Sequence, residues 1–510
     1  MHRRTSLTRR QFLKAGGLAA AAAALAACEP LLQFQTTAPT ATLSPAPVAT
    51  ATVPPATPTS APPDPQLARL VRRITFGIAP ADLARAQQIG YDAFIDEQLA
   101  PDSIQDADVE SRLAGLTTLA MSPAQLVQVS SPRQPARELV QAAILRAVYS
   151  RRQLKELLVD FWTNHFNIYI VGAQAFLKTV DDRDAIRPHV LGSFHDLLSA
   201  SAHSPAMLVY LNNAVSTKNL PNENYGRELM ELHTLSVNGG YTQTDVHEAA
   251  RALTGWTVRG KNATADPGTF YYNATIHDDG PKTILGQAFP AGQGIGDGEK
   301  LLDLLAQHPA TAHFISLKLA RRFVADDPPA ALVDRLAGVF TQLSGDLTKV
   351  TSALLHSDEF RASLGQKLKR PFEFVASALR ATQASAQAGD PTLNMLRLMG
   401  QPLFGWQTPD GFPDAAGAWA TTNGMLGRWN YSLALASNSF RDSPVNLAGV
   451  TGAVSTVDDA ITALSLAFLG EPLPGAAAQI LHAAAGQADP HTALPGLAAL
   501  ILSSPYFQYR

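Results

Sequence analysis

Apolar positions along the chain fall into distinct regimes. Residues 15–28 form a short alanine-rich apolar run, residues 36–63 show no amphipathic pattern, and from residue 64 onward large apolar side chains recur at helical spacing. Asp64-Pro65 supplies an N-cap followed by proline at the first helical position. Leu67, Leu70, Val71 and Ile74 then follow at i, i+3, i+4 and i+7. The same period predicts helices over 81–88, 91–99, 136–170, 186–200, 245–253, 298–305, 311–323, 329–343, 347–355, 371–385, 457–469 and 476–485. One stretch, 269–276, alternates instead and is rich in aromatic and β-branched residues. With Asp278-Asp279-Gly280-Pro281 and Thr283-Ile284-Leu285 it predicts a short hairpin turning at 278–281. The expected fold is therefore mainly α: a multi-helix globular body over 66–510 with a small β-hairpin. No repeat of solenoid period is present, and the polar, Ala/Gly-containing stretch 383–390 is the one soft boundary expected inside the body.

The first 27 residues read as an export signal. Arg3, Arg4, Arg9, Arg10 and Lys14 precede the apolar run, which at 14 residues is too short to span a bilayer core that takes about 20 as a helix. Thr8-Arg9-Arg10-Gln11-Phe12-Leu13-Lys14 resembles the twin-arginine motif, with Arg9 and Arg10 in the required places. Leu25-Ala26-Ala27-Cys28 resembles a lipoprotein box, so Cys28 is the expected lipidation site and first residue of the mature chain. The expected partners at this stage are the twin-arginine translocase, the lipoprotein-processing enzymes and the membrane holding the acyl chains. Residues 36–63 contain eight Pro, eight Thr, seven Ala and two Ser without a charge or a glycine. That composition cannot build a core. It predicts a disordered, extended tether over 28–65, of which these 28 residues reach on the order of 80 Å at about 3.1 Å each.

Composition then narrows the function. Hydrophobic residues are 46% and charged residues 16% of 510, which excludes a largely disordered chain and a coiled-coil rod. Forty basic against 43 acidic residues give a net charge of -3. Removal of residues 1–27 deletes five basic residues and no acidic one, leaving 35 against 43, or -8. Counterion release onto nucleic acid is therefore not supported. The single cysteine, Cys28, excludes a disulfide framework and a thiolate metal site in the body, so any divalent metal must be held by oxygen and imidazole.

The densest polar cluster is 222–233, Asn-Glu-Asn-Tyr-Gly-Arg-Glu-Leu-Met-Glu-Leu-His. Asn222 caps a predicted helix that places Asn224, Glu228 and Glu231 on one face and Glu223, Arg227 and Glu231 on an overlapping stripe. His233 falls nearly opposite Asn224, so a metal site using Glu228 and Glu231 needs ligands from elsewhere. Two readings stand: a structural ion-pair ladder, and a partly buried carboxylate centre that binds a cation or transfers protons. A second candidate is Phe161-Trp162-Thr163-Asn164-His165-Phe166, where His165 occupies the core-facing stripe and is either a neutral imidazole bonded to a carbonyl or a ligand or acid-base group. A third, His277-Asp278-Asp279-Gly280-Pro281-Lys282, puts an imidazole, carboxylates and an ammonium at the expected hairpin tip, where a plain turn is the simpler reading. His247-Glu248-Ala249-Ala250-Arg251 fails as a zinc motif because Arg251 stands where the second histidine belongs. Gly292, Gly294, Gly296 and Gly298 match no phosphate-binding loop, and no G-x-S-x-G elbow is present. The Gly/Pro-rich stretch from Gly400 holds Trp406, Trp419 and Trp429, which suit either packing of an irregular loop or stacking on sugars.

Taken together, Leu70-Val-Arg-Arg-Ile-Thr-Phe-Gly77, Phe161-Trp-Thr-Asn-His-Phe166, Ser204-Pro-Ala-Met-Leu-Val-Tyr-Leu211, the 222–233 cluster, Gly239-Gly-Tyr-Thr-Gln243, residues 249–256 and 277–286, Lys369-Arg-Pro-Phe372 and Gly400-Gln-Pro-Leu403 resemble a bacterial family of exported proteins, the domain of unknown function 1800. The resemblance implies a mainly helical fold, export, and an exported partner with an alkaline-phosphatase-like fold. It brings no reaction and no catalytic residues.

The expectation is thus an exported, lipid-anchored protein with its body in the periplasm or extracellular space. Glu228, Glu231 and His165 are its candidate catalytic or metal-binding residues. Asn164, Asn224, Arg227, His277, Asp278 and Lys282 are candidates for binding. A hydrolase of envelope or extracellular polymer is one reading of that site. A non-enzymatic scaffold for another exported protein or a polysaccharide is the other.

Overall fold

Asp64 caps the first helix as its sequence predicts: Oδ1 accepts the Gln66 amide at 2.9 Å, and Pro65 opens the helix Pro65–Ile74. The computed structural model describes residues 64–510, so the export signal, Cys28 and the Pro/Thr/Ala segment lie outside the described residues. Within them the protein is mainly helical, with two small antiparallel strand pairs, and no helix is long and apolar enough to cross a membrane. Leu67, Leu70, Val71 and Ile74 are all buried, joining a hydrophobic core that runs from Leu67 to Phe507. Around it Pro309–Phe323 lies against Ala330–Gln342, while Thr422–Ala436 and Val457–Leu469 both lie against Pro490–Ser503.

The single helix expected over 136–170 is two, Arg133–Tyr149 and Gln153–His165. Ser150 turns extended between them; its Oγ donates to Asp106 at 2.6 Å, and the Arg151 amide donates to the same carboxylate at 2.8 Å. A residue 44 positions upstream makes this break, and local periodicity carries no trace of it.

The hairpin expected to turn at 278–281 is corrected. Strand β1 (Trp256–Val258) pairs with β2 (Phe270–Tyr272), and β3 (Lys282–Ile284) pairs with β4 (Gln287–Phe289). The alternating 269–276 stretch therefore pairs backward along the chain. The tight turn is Leu285-Gly286, with φ of 50° and 76°, the left-handed pair whose twist matches that of the flanking strands. Residues 383–390 are held to the body by Tyr149, whose Oη donates to the Ala384 carbonyl at 3.0 Å and accepts the Ala386 amide at 2.6 Å.

Two further features position the site. Helical segments Asp181–Ile186 and Leu229–Thr234 widen to π geometry; in the second, the Leu235 amide reaches the Met230 carbonyl at 2.7 Å and Thr234 Oγ1 the Leu229 carbonyl at 2.7 Å. Such widenings often mark functional sites, and this one lies inside the 222–233 cluster. Glu373, in the first turn of the helix Pro371–Ala381, accepts the Arg370 amide at 2.8 Å and is surrounded by the guanidinium groups of Arg322, Arg510 (3.1 Å) and Arg370 (3.5 Å). These cations hold its carboxyl well below the usual range against the opposing effect of burial, which is the largest single influence on it. Asp160 adds a second carboxylate, paired with Arg322 at 3.1 Å and with Arg370.

Candidate functional site

A cleft of about 330 Å³ opens above this ion network, lined by His165, Lys318, Arg321, Trp406, Asp410 and Asp414 among others. Phe314, Lys318 and Arg321 reach it because they stand at i, i+4 and i+7 of the helix Pro309–Phe323. The opposite wall is the irregular segment 406–414, and its shape is enforced by amides of the Gln153–His165 region. Asn164 Nδ2 donates to the Phe412 carbonyl at 2.8 Å while its Oδ1 accepts the Phe412 amide at 2.7 Å. Asn167 Nδ2 donates to the carbonyls of Trp406 (3.1 Å) and Thr408 (2.7 Å). Gly411 is required there: its φ is +74°, and a Cβ would sit 2.2 Å from the Asn164 carbonyl oxygen. Trp406, Phe412 and Trp419 pack in series with ring centroids 4.9 and 5.9 Å apart. Asp410 Oδ1 is fixed by Trp406 Nε1 at 2.8 Å and Thr408 Oγ1 at 2.5 Å. Trp406 and Trp419 thus belong to a packed loop, Trp406 also forming part of the cleft wall, whereas Trp429 stands on the helix Thr422–Ala436.

The floor is a histidine–lysine pair. His165 Nε2 lies 3.1 Å from the His233 carbonyl, which can only accept, so Nε2 carries the proton and Nδ1 offers a lone pair. Lys318 Nζ donates to that Nδ1 at 2.8 Å. Burial, reinforced by the Lys318 charge, holds His165 well below the usual histidine range, so the ring is neutral. Burial also pushes Lys318 down to about 8, partly opposed by Asp414 and Asp410. Lys178, Lys282 and Lys367 each have a carboxylate at ion-pair distance; Lys318 has none among the described residues, and its charge rests on a neutral imidazole. His233 lies behind this pair, with its ring centroid 6.1 Å from that of His165 and neither ring nitrogen hydrogen-bonded among the described residues; burial pushes it down to about 3.

Carboxylates gather nearby. Partial burial raises Glu228, and the charges of Glu231 and Asp410 raise it further against the opposing Arg227. Tyr210, which feels both Asp410 and Glu228, donates to the Gln407 carbonyl at 2.8 Å and so ties this group to the 406–414 wall. Glu231 accepts from Tyr241 Oη at 3.0 Å. Arg227 turns away to Glu223 (3.2 Å) and Gln243 (2.9 Å), so the ladder expected along Glu223, Arg227 and Glu231 closes only at its first step. Asn224 Nδ2 donates to the Leu211 carbonyl at 3.2 Å.

His277, Asp278 and Lys282 form a separate, internally bonded cluster. His277 Nδ1 donates to the Thr254 carbonyl at 2.7 Å, and Nε2 faces Asp297 Oδ2 at 3.2 Å. Lys282 Nζ gives its three hydrogens to the carbonyls of Asp278 (2.5 Å) and Gly280 (2.8 Å) and to Asp297 Oδ2 (2.6 Å). Arg251 grips Asp278 at 2.7 and 3.0 Å and pulls its carboxyl down to about 2, which gives the residue in the failed zinc motif a structural task. No hydrogen bond or ion pair among the described residues links this cluster to His165, Glu228 or Glu231. Nor do any three His, Cys, Asp or Glu side chains among the described residues converge as a metal site. The metal set expected of Glu228, Glu231 and His165 is not assembled, since both ring nitrogens of His165 are already engaged.

Lys318 and Asp414 are the residues that sequence reasoning passes over. The one local signal for Lys318 is its place in a helix turn whose neighbours Ile315, Ser316 and Leu319 are buried.

A family model described as Protein of unknown function (DUF1800) matches residues 69–509, and a model of the twin-arginine translocation pathway signal sequence matches residues 6–26. No curated protein and no solved structure matches the chain.

Proposed function

The chain belongs to the DUF1800 family and is exported by the twin-arginine route, and on that premise we propose that it is an extracytoplasmic acid-base enzyme, lipid-tethered at Cys28, that hydrolyses an envelope or extracellular polymer in the His165–Lys318 cleft. The observation that carries this reading is a pair of opposite displacements around Asp410: Glu228 is raised and Lys318 is lowered, so both move toward neutral pH. Glu228 then keeps its proton to a higher pH than an ordinary carboxyl, and Lys318 frees its lone pair at a lower pH than an ordinary ammonium. Lys318 takes the proton of the attacking water, Glu228 protonates the leaving group, and neutral His165 aims the amine. Glu231 and Asp410 keep the Glu228 proton in place by their charge. Trp406 offers a ring face to a sugar unit.

Asn224 and Arg227 act at one remove, through the Leu211 carbonyl and through Glu223. Asn164 acts by shaping the wall. The competing scaffold reading draws its support from the same economy: Asn164, Arg227, His277, Asp278 and Lys282 are all spent in internal bonds. Incubation of the purified protein with isolated envelope polymer separates the two. The enzyme reading expects soluble fragments from wild type and none from folded Lys318→Met or Glu228→Gln; equal release from all three would sink it, and polymer binding without release would favour the scaffold.

A further inference from the structure

The helix Thr422–Ala436 carries a single formal charge, and that charge is buried. Arg428 donates to Gln508 Oε1 at 2.7 Å and to the Lys369 carbonyl at 2.6 Å. Tyr431 and Leu435 face the interior on the same side, where the helix meets Pro490–Ser503. The outer side presents Leu426, Trp429 and Leu433, which are 48%, 51% and 57% exposed. The polar residues exposed between and beyond them, Thr422, Asn423, Asn430 and Ser437, are uncharged. Outer faces of surface helices are ordinarily charged, and a contiguous exposed apolar patch marks a place of association.

We propose that this face is a symmetric interface between two copies of the chain. The two leucines of the stripe are symmetrically placed. Leu426 and Leu433 lie equally far, about 5 Å along the helix, from the midpoint between Trp429 and Asn430, and Asn423 and Ser437 stand at the two ends. Antiparallel pairing about a twofold axis at that midpoint sets Leu426 of one copy against Leu433 of the other and brings the tryptophans together near the axis. Charge selects the occupant. The mature chain carries -8, so two copies repel over most of their surfaces but not across a face without charges. A partner recognised by charge finds nothing to pair with here, and an anionic lipid surface finds no lysine or arginine on the stripe.

The test uses the mature chain with Cys28→Ser, which is free of cysteine and of lipid. Sedimentation velocity over a rising protein concentration is expected to show a dimer. Trp429→Asp is expected to remain monomeric with an unchanged thermal midpoint, because the side chain it replaces is half exposed. Asn430→Cys, close to the axis, is expected to form an intermolecular disulfide on mild oxidation, whereas Asp358→Cys on a remote helix does not. A monomer at every concentration with no Asn430→Cys crosslink overturns the proposal. So does Trp429-dependent binding to phosphatidylcholine vesicles without self-association, which would make lipid the occupant.

Discussion

Replacing Lys318 by methionine is expected to make the protein more stable while removing its function. An ammonium whose pKa falls from 10.5 to about 8 on folding is bound less tightly to its proton in the native state. A shift of that size corresponds to about 3 kcal/mol of destabilisation wherever both states are protonated. The sign follows from proton counting: between pH 8 and 10.5 the unfolded chain holds more protons, so stability rises with pH through that window. Below pH 8 the full penalty applies. Methionine keeps the length and removes the charge, but it leaves His165 Nδ1 without its donor, a loss of about 1 kcal/mol that cleft water partly restores. Because Lys318 lines an open cleft, solvent screening reduces the gain further, and a net stabilisation of about 1–2 kcal/mol at pH 7 is expected. Urea unfolding of wild type and Lys318→Met from pH 6 to 10 measures it. The two curves should converge as pH rises past 8. A variant less stable than wild type at pH 7, or a difference that does not change with pH, would refute the electrostatic account of this lysine.

Other expectations follow from the same structure. Glu228→Gln removes a carboxylate whose folded-state pKa is raised, so the variant should unfold at equal or higher urea at pH 7, with the difference vanishing in acid; a loss of stability at pH 7 would contradict the repulsion assigned to Glu231 and Asp410. Glu373→Gln leaves Arg322, Arg370 and Arg510 without their shared carboxylate and should cost about 3–5 kcal/mol in urea unfolding, whereas a change below about 1 kcal/mol would show the network to be solvated. Asn164→Ala loses both bonds to the Phe412 backbone; limited proteolysis should then cut within 406–414 faster than in wild type, and an unchanged cleavage pattern would mean that the aromatic packing alone holds the loop. Cys28→Ser should abolish incorporation of labelled palmitate, and label that survives the change would remove the lipid anchor from the account.

Local chemistry was readable where the causes are local. The Asp64-Pro65 start, the Asn222 cap and the buried stripe of Pro65–Ile74 all depend on residues within one or two turns, and each stands as the sequence predicts. The break at Ser150 depends on Asp106, and the pairing of 270–272 with 256–258 depends on a chain reversal, so neither shows in a sliding window. The candidate site divides in the same way. His165 was visible as a polar residue on an apolar stripe, and its carbonyl bond is the plainer of its two sequence readings. Lys318 was not visible, because what distinguishes it is a missing counter-ion, which is a tertiary fact. The π widening at Leu229–Thr234 also has no sequence signature, although it sits within the cluster that the sequence marked most strongly.

The proposed enzyme depends on proton transfer by Lys318 in the cleft and by Glu228 near Asp410, which the pH dependence of fragment release from envelope polymer measures. A bell-shaped profile is expected for wild type, with release lost at every pH in both folded Glu228→Gln and folded Lys318→Met. Release by Lys318→Met at the wild-type rate, with the wild-type profile, would contradict it.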